Sequence, residues 1–451
     1  MTTYRVHPAT QPLRGTARVP SDKSIGHRAL LFASLAEGRS TIVDYSGGED
    51  NESTAGCFRA MGVTIERVGE RTVHVTGNGL FGLTPPTVEL DCGNSGTTMR
   101  LLAGVLAAQP FTSTMVGDAS LSGRPMMRIA EPLRRRGAII EGQPHPKKEG
   151  DITAPLRVGP LTQALGEIEY ESKVASAQVK SAILLSGLYA EGGTYFKEPV
   201  VSRDHTERIM HALGVPLQTR GTMVALEPAG WSRKLPAFEI AVPGDCSAAA
   251  FLIAAAATVP GSDVHVTHVG TNPTRTGFME MARDFGVALQ IEAKGDASGE
   301  PVADLRIASP KGNVLRAGRF GGETVTRAVD EVPIACAIAA RCAGETRITD
   351  ASELRVKESD RIATMARVLR AFGVEAEELP DGLVIRGKEG PLTPAEIDSH
   401  GDHRIAMTGV VMGLSASGPS LIRNAACIAT SFPTFAAVFG ALGARLEVVP
   451  D

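Results

Sequence analysis

The stretch Ser21-Asp-Lys-Ser-Ile-Gly-His-Arg-Ala-Leu-Leu-Phe-Ala-Ser-Leu-Ala36 indicates how the rest of the chain is organised. After residue 24, small and apolar side chains cover nearly every face, which predicts a buried helix over 24–36. Ser24 can cap this helix at its N-terminus, and Gly38 can end it in the left-handed conformation that glycine adopts easily. We therefore expect a cationic loop that leads into a buried helix.

Lys23 and Arg28 put positive charge at the start of this helix. The N-terminus of a helix already carries a partial positive charge, so further cations are unfavourable there unless an anion binds between them. For this stretch alone, a solvated basic turn is the simpler alternative. The anion-binding interpretation gains weight because the same arrangement recurs along the chain.

The composition limits the possible classes of protein. With 451 residues, of which 43% are hydrophobic, the chain is long enough for at least two domains. A net charge of -4, 4% aromatic residues and a single Trp argue against a nucleic-acid partner, which needs a basic surface and stacking rings. Nucleic acid is therefore not expected among its ligands.

Several targeting and cofactor signals are missing from the sequence. It has no apolar run long enough to span a membrane and no secretory leader, so we expect a cytoplasmic protein that does not bind membranes. The usual ATP, dinucleotide and catalytic zinc motifs do not occur, so we expect no cofactor and no metal. The six cysteines lack metal-binding spacing and are expected to be reduced core residues.

A helix end, a glycine and an alternating strand recur along the chain. The glycines follow one another at intervals of roughly 70 to 87 residues, a period that predicts an internal structural repeat. They are Gly62, Gly137, Gly214, Gly286, Gly373 and Gly443. A second, more apolar helix rich in small residues precedes each of them, at 24–36, 95–108, 176–190, 247–258, 331–343 and 402–416. The pattern predicts an α/β protein built from six βαβαββ-type units around buried helices.

The six units group in threes. Val19-Pro20-Ser-Asp22 is echoed three repeats later by Val242-Pro243-Gly-Asp245, which marks two crossover points. We expect one domain at 21–242 and a second at 243–451, completed by the N-terminal strand at 1–20. Two links between such domains suit hinged closure over a ligand, with the active site in the interdomain cleft.

Charged and hydroxyl residues recur where the small-residue helices begin and in the neighbouring loops. If these helix N-termini face one cleft, the cleft attracts substrates that carry several phosphate and carboxylate groups. Each residue alone has a simpler explanation: Asp330 could cap its helix, Glu358 and Arg361 could be a solvated pair, and Arg28, Arg100 and Lys180 could extend from a core helix to solvent.

Five motifs appear in a characteristic order: Pro20-Ser-Asp-Lys-Ser24, Gly93-Asn-Ser-Gly-Thr97, Ser176-Ala-Gln-Val-Lys180, Lys357-Glu-Ser-Asp-Arg361 and Gly401-Asp-His-Arg404. Together they resemble the 5-enolpyruvylshikimate-3-phosphate (EPSP) synthase family over essentially the whole chain. Ser176–Lys180 and Arg203-Asp-His-Thr-Glu207 resemble the bacterial subclass often called class II. The implied fold has two domains, each of three repeated units around buried parallel helices.

The resemblance also implies a reaction and its site residues. The enolpyruvyl group of phosphoenolpyruvate is transferred to the 5-hydroxyl of shikimate 3-phosphate through a tetrahedral intermediate, and phosphate is released. The implied catalytic residues are Lys23 as the cation at the bridging oxygen, Asp330 as the base and Glu358 as the proton donor. The implied ligands of shikimate 3-phosphate are Lys23, Ser24, Arg28, Ser176, Ala177, Gln178, Arg203, Asp330 and Lys357. Those of phosphoenolpyruvate are Lys23, Gly96, Arg124, Gln178, Arg361 and Arg404.

Other residues are expected to support these ligands. Arg100 and Lys180 are placed one layer behind the substrates, and His403 is expected to brace Arg404. His205 could be either a surface turn residue or a ligand contact. We expect a monomer whose partners are the two small substrates.

The chain departs from the family pattern at two positions, and one rival family remains. Thr430 stands where many members carry a lysine that contacts phosphoenolpyruvate, and Ala177 replaces a hydroxyl residue. The UDP-N-acetylglucosamine enolpyruvyl transferases carry a cysteine where this chain has Ala119. A non-catalytic anion-binding scaffold is the rival of another class. The family resemblance implies that glyphosate competes with phosphoenolpyruvate, and Gly96, which opens its helix without a side chain, lets a ligand approach the backbone there.

Overall fold

A computed structural model describes residues 2–309 and 315–449. The helices within these residues are α1 (Lys23–Leu35), α2 (Glu49–Ala60), α3 (Gly96–Leu106), α4 (Met127–Arg135), α5 (Ala177–Gly187), α6 (His205–Ala212), α7 (Cys246–Thr258), α8 (Gly277–Asp284), α9 (Gly322–Thr326), α10 (Val332–Ala339), α11 (Arg361–Ala371), α12 (His403–Leu414) and α13 (Phe435–Ala441). Short 3-10 helices lie at Leu121–Gly123, Val329–Glu331, Ser352–Val356 and Ala425–Thr430.

The strands alternate with these helices. They are β1 (Thr3–Val6), β2 (Arg14–Arg18), β3 (Glu37–Val43), β4 (Thr64–Val68), β5 (Thr72–Asn78), β6 (Leu90–Asp91), β7 (Ser113–Val116), β8 (Ile140–Pro144), β9 (Ile152–Val158), β10 (Ile168–Glu171), β11 (Thr194–Lys197), β12 (Leu217–Arg220), β13 (Met223–Leu226), β14 (Glu239–Ala241), β15 (Asp263–Gly270), β16 (Ala288–Ala297), β17 (Glu300–Ala308), β18 (Arg319–Phe320), β19 (Gly344–Ile348), β20 (Glu375–Leu379), β21 (Gly382–Gly387), β22 (Glu396–Asp398), β23 (Ser420–Arg423) and β24 (Leu446–Val449).

The strands form six four-stranded sheets that follow one pattern. In the sheet ordered β6-β7-β9-β8, the first pair is parallel and the other two pairs are antiparallel. The sheets β10-β11-β13-β12 and β18-β19-β21-β20 repeat this order and these directions. The six βαβαββ units predicted from the repeated glycines are therefore present.

The remaining three sheets are completed by strands from distant parts of the chain. β14 pairs with β3 in a parallel arrangement, and β2 pairs with β15 in the same way. β1 lies between β23 and β24 and is antiparallel to both. The two crossover points thus lie just after β2 and just after β14, where each strand leads into a helix of a different repeat.

The chain divides into two compact units. The first unit comprises the residues up to Asp22, Pro243–Asp296 and the chain from Glu300 onward. The second unit comprises Lys23–Val242 and Ala297–Gly299. The predicted boundary at residue 21 therefore lies two residues too early, because the N–H of Asp22 donates to the carbonyl of Pro243 at 2.7 Å.

Each unit has its own hydrophobic core. In the second unit, α3 packs against α5 and α1. A Cβ at Gly104 of α3 would lie 2.3 Å from the carbonyl oxygen of Ala182, so glycine is needed where the two helix backbones approach. In the first unit, α7, α10 and α12 contact one another, and every residue of α7 is buried. Small side chains allow these central helices to pack closely.

The outer helices end as the sequence predicts. All six repeat glycines have positive φ: Gly62 (87°), Gly137 (106°), Gly214 (75°), Gly286 (86°), Gly373 (73°) and Gly443 (102°). After α2, the N–H of Gly62 donates to Arg59 and that of Val63 donates to Phe58, which closes the helix end. At α1 the predicted buried helix is present, but its ends differ from the prediction. The helix begins at Lys23, so Ser24 lies inside its first turn, and Gly38 has a positive φ of 105° but belongs to β3.

Candidate active site

The second unit places Lys23 at the start of α1. Its Nζ donates to Asp50 Oδ2 at 2.8 Å, and the Lys23 side chain is 17% exposed. Asp50 belongs to the first turn of α2, where a carboxylate also interacts favourably with the helix dipole. The anion that the sequence leads us to expect beside this lysine is thus supplied in part by the protein.

Arg28 is buried one turn further along α1. Its Nε donates to Thr206 Oγ1 at 2.6 Å, and its Nη2 donates to Ser181 Oγ at 2.8 Å. A third donation, from Nη1, reaches the carbonyl of Ser24 at 3.0 Å. Arg28 is therefore fixed by three elements of the second unit and does not extend from a core helix to solvent.

Gly96 begins α3, whose cap is Ser95. The Ser95 hydroxyl accepts a hydrogen bond from the N–H of Thr98 at 3.1 Å. A Cβ at position 96 would lie 2.8 Å from Arg100 Nη1 and 3.1 Å from Arg124 Nη1. The missing side chain thus leaves two guanidinium groups beside the helix N-terminus, which is a favourable place for an anion.

Arg124 is held in place by the loop before α3. Its Nη2 donates to Asn94 Oδ1 at 2.6 Å, and Asn94 Nδ2 donates to Asp118 Oδ2 at 2.6 Å. Asp118 also accepts from the N–H of Leu121 at 2.7 Å. Asn94 therefore orients a cation that is assigned to substrate binding, a role that sequence reasoning missed.

The start of α5 carries Ser176, Ala177 and Gln178. Gln178 Oε1 accepts from Arg100 Nη1 at 2.7 Å, and Gln178 Nε2 donates to Thr97 Oγ1 at 3.0 Å. These bonds connect α5 to the first turns of α3. Arg100 thus contacts Gln178, and its placement one layer behind the substrates stays a prediction.

Lys180 is almost completely buried on α5, with 1% of its side chain exposed. Its Nζ lies 2.8 Å from Glu198 Oε1 and 2.7 Å from Glu207 Oε1. Burial alone would lower the pKa of Lys180, but the two carboxylates outweigh this effect and raise it, so the ammonium stays charged. Arg203 lies just before α6. His205 is the first residue of α6 and is buried, so it is not a surface turn residue.

The first unit gathers cations around Asp330. Its Oδ1 lies 3.4 Å from Lys357 Nζ and 3.4 Å from Arg361 Nη1. Arg404 Nη1 donates to the backbone carbonyl of Asp330 at 2.9 Å. Asp330 lies in the 3-10 turn before α10, and the residue at the cap position of that helix is Glu331. The Asp330 carboxylate is therefore directed at cations rather than used as a helix cap.

Arg361 is enclosed by three carboxylates. Its Nη2 donates to Glu358 Oε2 at 2.6 Å, and its Nε donates to Asp402 Oδ2 at 2.8 Å. Only 1% of the Arg361 side chain is exposed. Burial would lower its pKa, but Asp402, Glu358 and Asp330 outweigh burial and raise it. Arg361 and Glu358 thus form an ion pair whose arginine is buried and whose glutamate is partly buried, not the solvated pair that their spacing alone suggests.

Asp402 and Arg404 begin α12. Asp402 is fully buried, caps the helix by accepting from the N–H of Arg404 at 3.0 Å, and also accepts from Ser359 Oγ at 3.0 Å. Arg404 Nη1 lies 3.5 Å from Glu331 Oε1. His403 is buried beside them. Asp402 therefore orients the Arg361 guanidinium and caps the helix that carries Arg404, whose own guanidinium contacts Asp330 and Glu331.

A second buried charge cluster lies behind Glu331. Arg275 Nη1 lies 3.3 Å from Asp22 Oδ2, and its Nη2 lies 3.6 Å from Asp245 Oδ1 and 3.7 Å from Glu331 Oε1. Ser247 accepts from Arg275 Nη2 at 2.7 Å and donates to Glu331. No sequence signal pointed to Arg275, because its partners come from distant segments.

Among the described residues, Asp22, Asp245 and Cys246 form the one group with atoms close enough to share a metal ion. Burial raises the pKa of the Cys246 thiol, so it is a poor metal ligand, and the Arg275 guanidinium already pairs with both acids. We therefore interpret Asp22 and Asp245 as ion-pair partners of Arg275.

All six cysteines are free. Five of them are buried, as expected for core residues, but Cys427 is only half-buried, which differs from the prediction.

The described residues thus form two clusters. The second unit holds Lys23, Ser24, Arg28, Gly96, Arg124, Ser176, Ala177, Gln178 and Arg203; the first unit holds Asp330, Lys357, Glu358, Arg361 and Arg404. Cations at helix N-termini suit phosphate and carboxylate ligands. Carboxylates beside cations suit proton transfer to a bound anion. Thr430, which replaces a lysine of the family pattern, is buried at the end of a 3-10 helix of the first unit.

No helix in residues 2–309 and 315–449 combines the length and hydropathy needed to cross a bilayer.

Six βαβαββ units in two groups of three, together with these clusters, define the enolpyruvyl transferase class. The sequence matches the family described as EPSP synthase (3-phosphoshikimate 1-carboxyvinyltransferase) over residues 8–439. The chain belongs to the EPSP synthase family.

Individual relatives agree with this assignment. The 3-phosphoshikimate 1-carboxyvinyltransferase of Geobacter metallireducens is 46% identical over 445 residues, which cover 99% of this chain and all of the relative. That of Methylococcus capsulatus is 49% identical over 437 residues, covering 97% of this chain and 96% of the relative. The solved structure of EPSP synthase from Acinetobacter baumannii has a TM-score of 0.86 and 43% identity, with both chains fully covered. The family and fold predicted from the motifs are confirmed.

Proposed function

We propose that this chain transfers the enolpyruvyl group of phosphoenolpyruvate to the 5-hydroxyl of shikimate 3-phosphate and releases phosphate, a step of aromatic amino-acid biosynthesis. The observation that carries the proposal is the position of Asp330, whose Oδ1 lies 3.4 Å from both Lys357 and Arg361, while Arg361 also binds Glu358. Two carboxylates and two cations in one cluster suit a reaction that moves two protons beside anionic substrates.

In the addition step, Asp330 accepts the proton of the 5-hydroxyl and the oxygen bonds to C2 of phosphoenolpyruvate. Glu358 enters this step as the carboxylic acid, after a proton has replaced its ion pair with Arg361, and gives that proton to the methylene carbon. Lys23 stabilises charge on the bridging oxygen. In the elimination step, the Glu358 carboxylate takes a proton from the methyl group, the double bond forms again, and the C–O bond to phosphate breaks as phosphate leaves with the proton held by Asp330. Each step needs groups that change protonation at a fixed position, which the surrounding ion pairs provide.

The proposed ligands are assigned as the family motifs imply. Shikimate 3-phosphate is bound by Lys23, Ser24, Arg28, Ser176, Ala177, Gln178, Arg203, Asp330 and Lys357. Phosphoenolpyruvate is bound by Lys23, Gly96, Arg124, Gln178, Arg361 and Arg404. Because the nitrogens of Arg361 are directed at three carboxylates, its contact with phosphoenolpyruvate requires one of these contacts to lengthen. The contact from Arg361 Nη1 to Asp330 Oδ1 is the longest, at 3.4 Å, so it is the contact that should lengthen when phosphoenolpyruvate binds.

We also propose that the chain belongs to the class II subdivision. The two motifs that suggest it are joined physically, since Lys180 of the first lies 2.7 Å from Glu207 of the second. Monomeric state and cytoplasmic location stay predictions, and gel filtration of the purified protein tests the first of them.

A substrate comparison tests the proposed function. Purified enzyme with phosphoenolpyruvate should release phosphate when shikimate 3-phosphate is added. Shikimate without its phosphate, or UDP-N-acetylglucosamine, should give little release under the same conditions. Release with the nucleotide sugar would assign the chain to the sister reaction, whereas binding of both anions without any release would support the non-catalytic scaffold.

A further inference from the structure

Lys180 occupies an unusual position for a charged side chain. It lies one residue after Val179 in α5, with 1% of its side chain exposed, and its ammonium has three acceptors. These are Glu198 Oε1 at 2.8 Å, Glu207 Oε1 at 2.7 Å and the carbonyl of Ser202 at 3.2 Å. An ammonium has three N–H donors, so the site matches its full bonding capacity.

The three partners of Lys180 belong to one short segment, residues 198–207. Glu198 Oε1 accepts a further hydrogen bond from the N–H of Ser202 at 2.9 Å. Glu207 lies in the first turn of α6. Arg203, a proposed ligand of shikimate 3-phosphate, therefore lies between two points at which the segment is attached to Lys180.

The neighbouring residue extends the same arrangement to Arg28. Ser181 Oγ lies 2.7 Å from Thr206 Oγ1, and both hydroxyls accept from the Arg28 guanidinium, at 2.8 and 2.6 Å. Thr206 is part of the 198–207 segment. Two adjacent residues of α5 thus hold this segment: Lys180 binds it on both sides of Arg203, and Ser181 joins it to Arg28.

Stability alone does not account for such a site. Taking an ammonium and two carboxylates out of water costs free energy that their attraction recovers only with good geometry, and apolar side chains of similar volume often stabilise a core equally well. Two carboxylates face one ammonium here, so the attraction of one cation is divided between two anions. A role in fixing the conformation of the segment explains the arrangement better.

We propose that Lys180 is a positioning residue that holds segment 198–207, and with it Arg203, in the conformation that binds shikimate 3-phosphate. This inference rests on the proposed function. It predicts that loss of Lys180 impairs one substrate selectively, because the proposed phosphoenolpyruvate ligands Gly96 and Arg124 are held by other loops.

The test uses Lys180→Met and the double variant Lys180→Met/Glu207→Gln in the full chain. The double variant removes one positive and one negative charge, so it keeps the buried net charge of the native site and avoids leaving two carboxylates unpaired. Lys234→Met is the matched control, because Lys234 is a 67% exposed lysine of the same unit that also pairs with a glutamate. Michaelis constants are measured for each substrate separately.

For both Lys180 variants, we expect the Michaelis constant for shikimate 3-phosphate to rise by about tenfold or more and that for phosphoenolpyruvate to change by less than about threefold. The control should match the native enzyme. In hydrogen exchange, the amides of residues 200–206 should exchange faster in the variants than in the native protein, and those of α3 should not. An equal rise in both Michaelis constants, or no rise, would overturn the inference.

Measurements on the native protein decide two further cases: variants that do not fold, and a native enzyme that does not turn over the two substrates. If the variants do not fold, hydrogen exchange of the native protein decides: slow exchange at residues 200–206 without substrate supports the inference, and exchange at the rate of an unstructured peptide overturns it. If the native enzyme exchanges slowly there but does not turn over the two substrates, the proposed function fails and the role of Lys180 in binding that substrate fails with it. Normal native turnover with unaffected Lys180 variants rejects the positioning role alone.

Discussion

Lys23 Nζ lies 2.8 Å from Asp50 Oδ2, which places one carboxylate against the cation at the start of α1. An ammonium has three N–H donors, and this bond uses one of them. Asn51 Nδ2 donates to the carbonyl of Lys23 at 3.0 Å, so α2 also fixes the backbone at this point. Lys23 is thus oriented before substrate binds, as electrostatic stabilisation of a transition state requires.

Lys23→Ala should leave the fold intact and lower kcat by about a hundredfold or more, since one such contact to developing charge contributes roughly 3 kcal/mol. Asp50→Asn, which keeps the lysine but weakens its orientation, should cost less. Steady-state kinetics with circular dichroism as the folding check measures both. A folded Lys23→Ala enzyme with near-native kcat would remove Lys23 from the mechanism.

Asp330→Ala and Glu358→Gln should each lower kcat more than they raise the Michaelis constants, because both groups are proposed to act in proton transfer. Glu353→Gln is a suitable control, since Glu353 contacts Lys357 at 3.2 Å from a more exposed position. If either variant changed substrate affinity alone, we would reassign that residue to binding.

Gly96→Ala should weaken the binding of glyphosate by about 1 to 3 kcal/mol, which raises its inhibition constant roughly ten- to a hundredfold. The binding of phosphoenolpyruvate should be weakened less. The new methyl would lie 2.8 Å from Arg100 Nη1 and 3.1 Å from Arg124 Nη1, so these groups must shift. Both groups are the ends of flexible side chains and can move by a small distance. Phosphoenolpyruvate is smaller than glyphosate, so this small movement should be enough to accommodate it. Equal weakening of both ligands, or a native enzyme indifferent to glyphosate, would show that other residues set the selectivity.

Asp151 links stability to pH. Its Oδ1 accepts from the N–H groups of Met126, Met127 and Ile152, at 3.1, 2.8 and 2.9 Å, and its Oδ2 lies 2.8 Å from Lys148 Nζ. Burial alone would raise the pKa of Asp151, but Lys148 and these N–H groups outweigh burial and hold it below its ordinary value of 3.8. A lowered pKa stabilises the folded state when the carboxylate is ionised, and this contribution is lost as the pH falls through the folded pKa.

Asp151→Asn should therefore lower the free energy of unfolding by about 1 to 3 kcal/mol at neutral pH. The difference from the native protein should begin to shrink below about pH 4, where the carboxyl of the unfolded chain takes up a proton, and should shrink further as the pH falls through the lower pKa of the folded state. Urea unfolding over this pH range measures it. Glu141→Gln is the control, because Glu141 is a 64% exposed residue of the same sheet. A difference that stayed constant down to acid pH would show that charge is not responsible.

The sequence predicts best what depends on neighbouring residues. Gly62 and its five counterparts end helices because each needs a positive φ, and the small side chains of α7 indicate a buried helix. The motifs also allowed the family and its site residues to be predicted. Contacts between distant residues could not be predicted in this way: Asp50 binds Lys23 across 27 positions, Asp402 binds Arg361 across 41, and Asp22 binds Arg275 across 253. Tertiary packing fixes these pairs.

The same distinction explains the errors. Ser24 has the right chemistry for a cap, but α1 begins one residue earlier, at Lys23. Glu358 and Arg361 have the spacing of a surface pair, yet Asp402 and Asp330 enclose the guanidinium. Spacing along a helix does not show which other segments cover it.

The most direct test of the account is a phosphorus NMR time course of shikimate 3-phosphate and phosphoenolpyruvate with the native enzyme. We expect both substrate signals to fall together, with one inorganic phosphate and one new phosphate ester formed for each pair consumed, and we expect Asp330→Ala to stop the reaction. Release of phosphate from phosphoenolpyruvate while the shikimate 3-phosphate signal stays constant would contradict the account, because it would show hydrolysis in place of enolpyruvyl transfer.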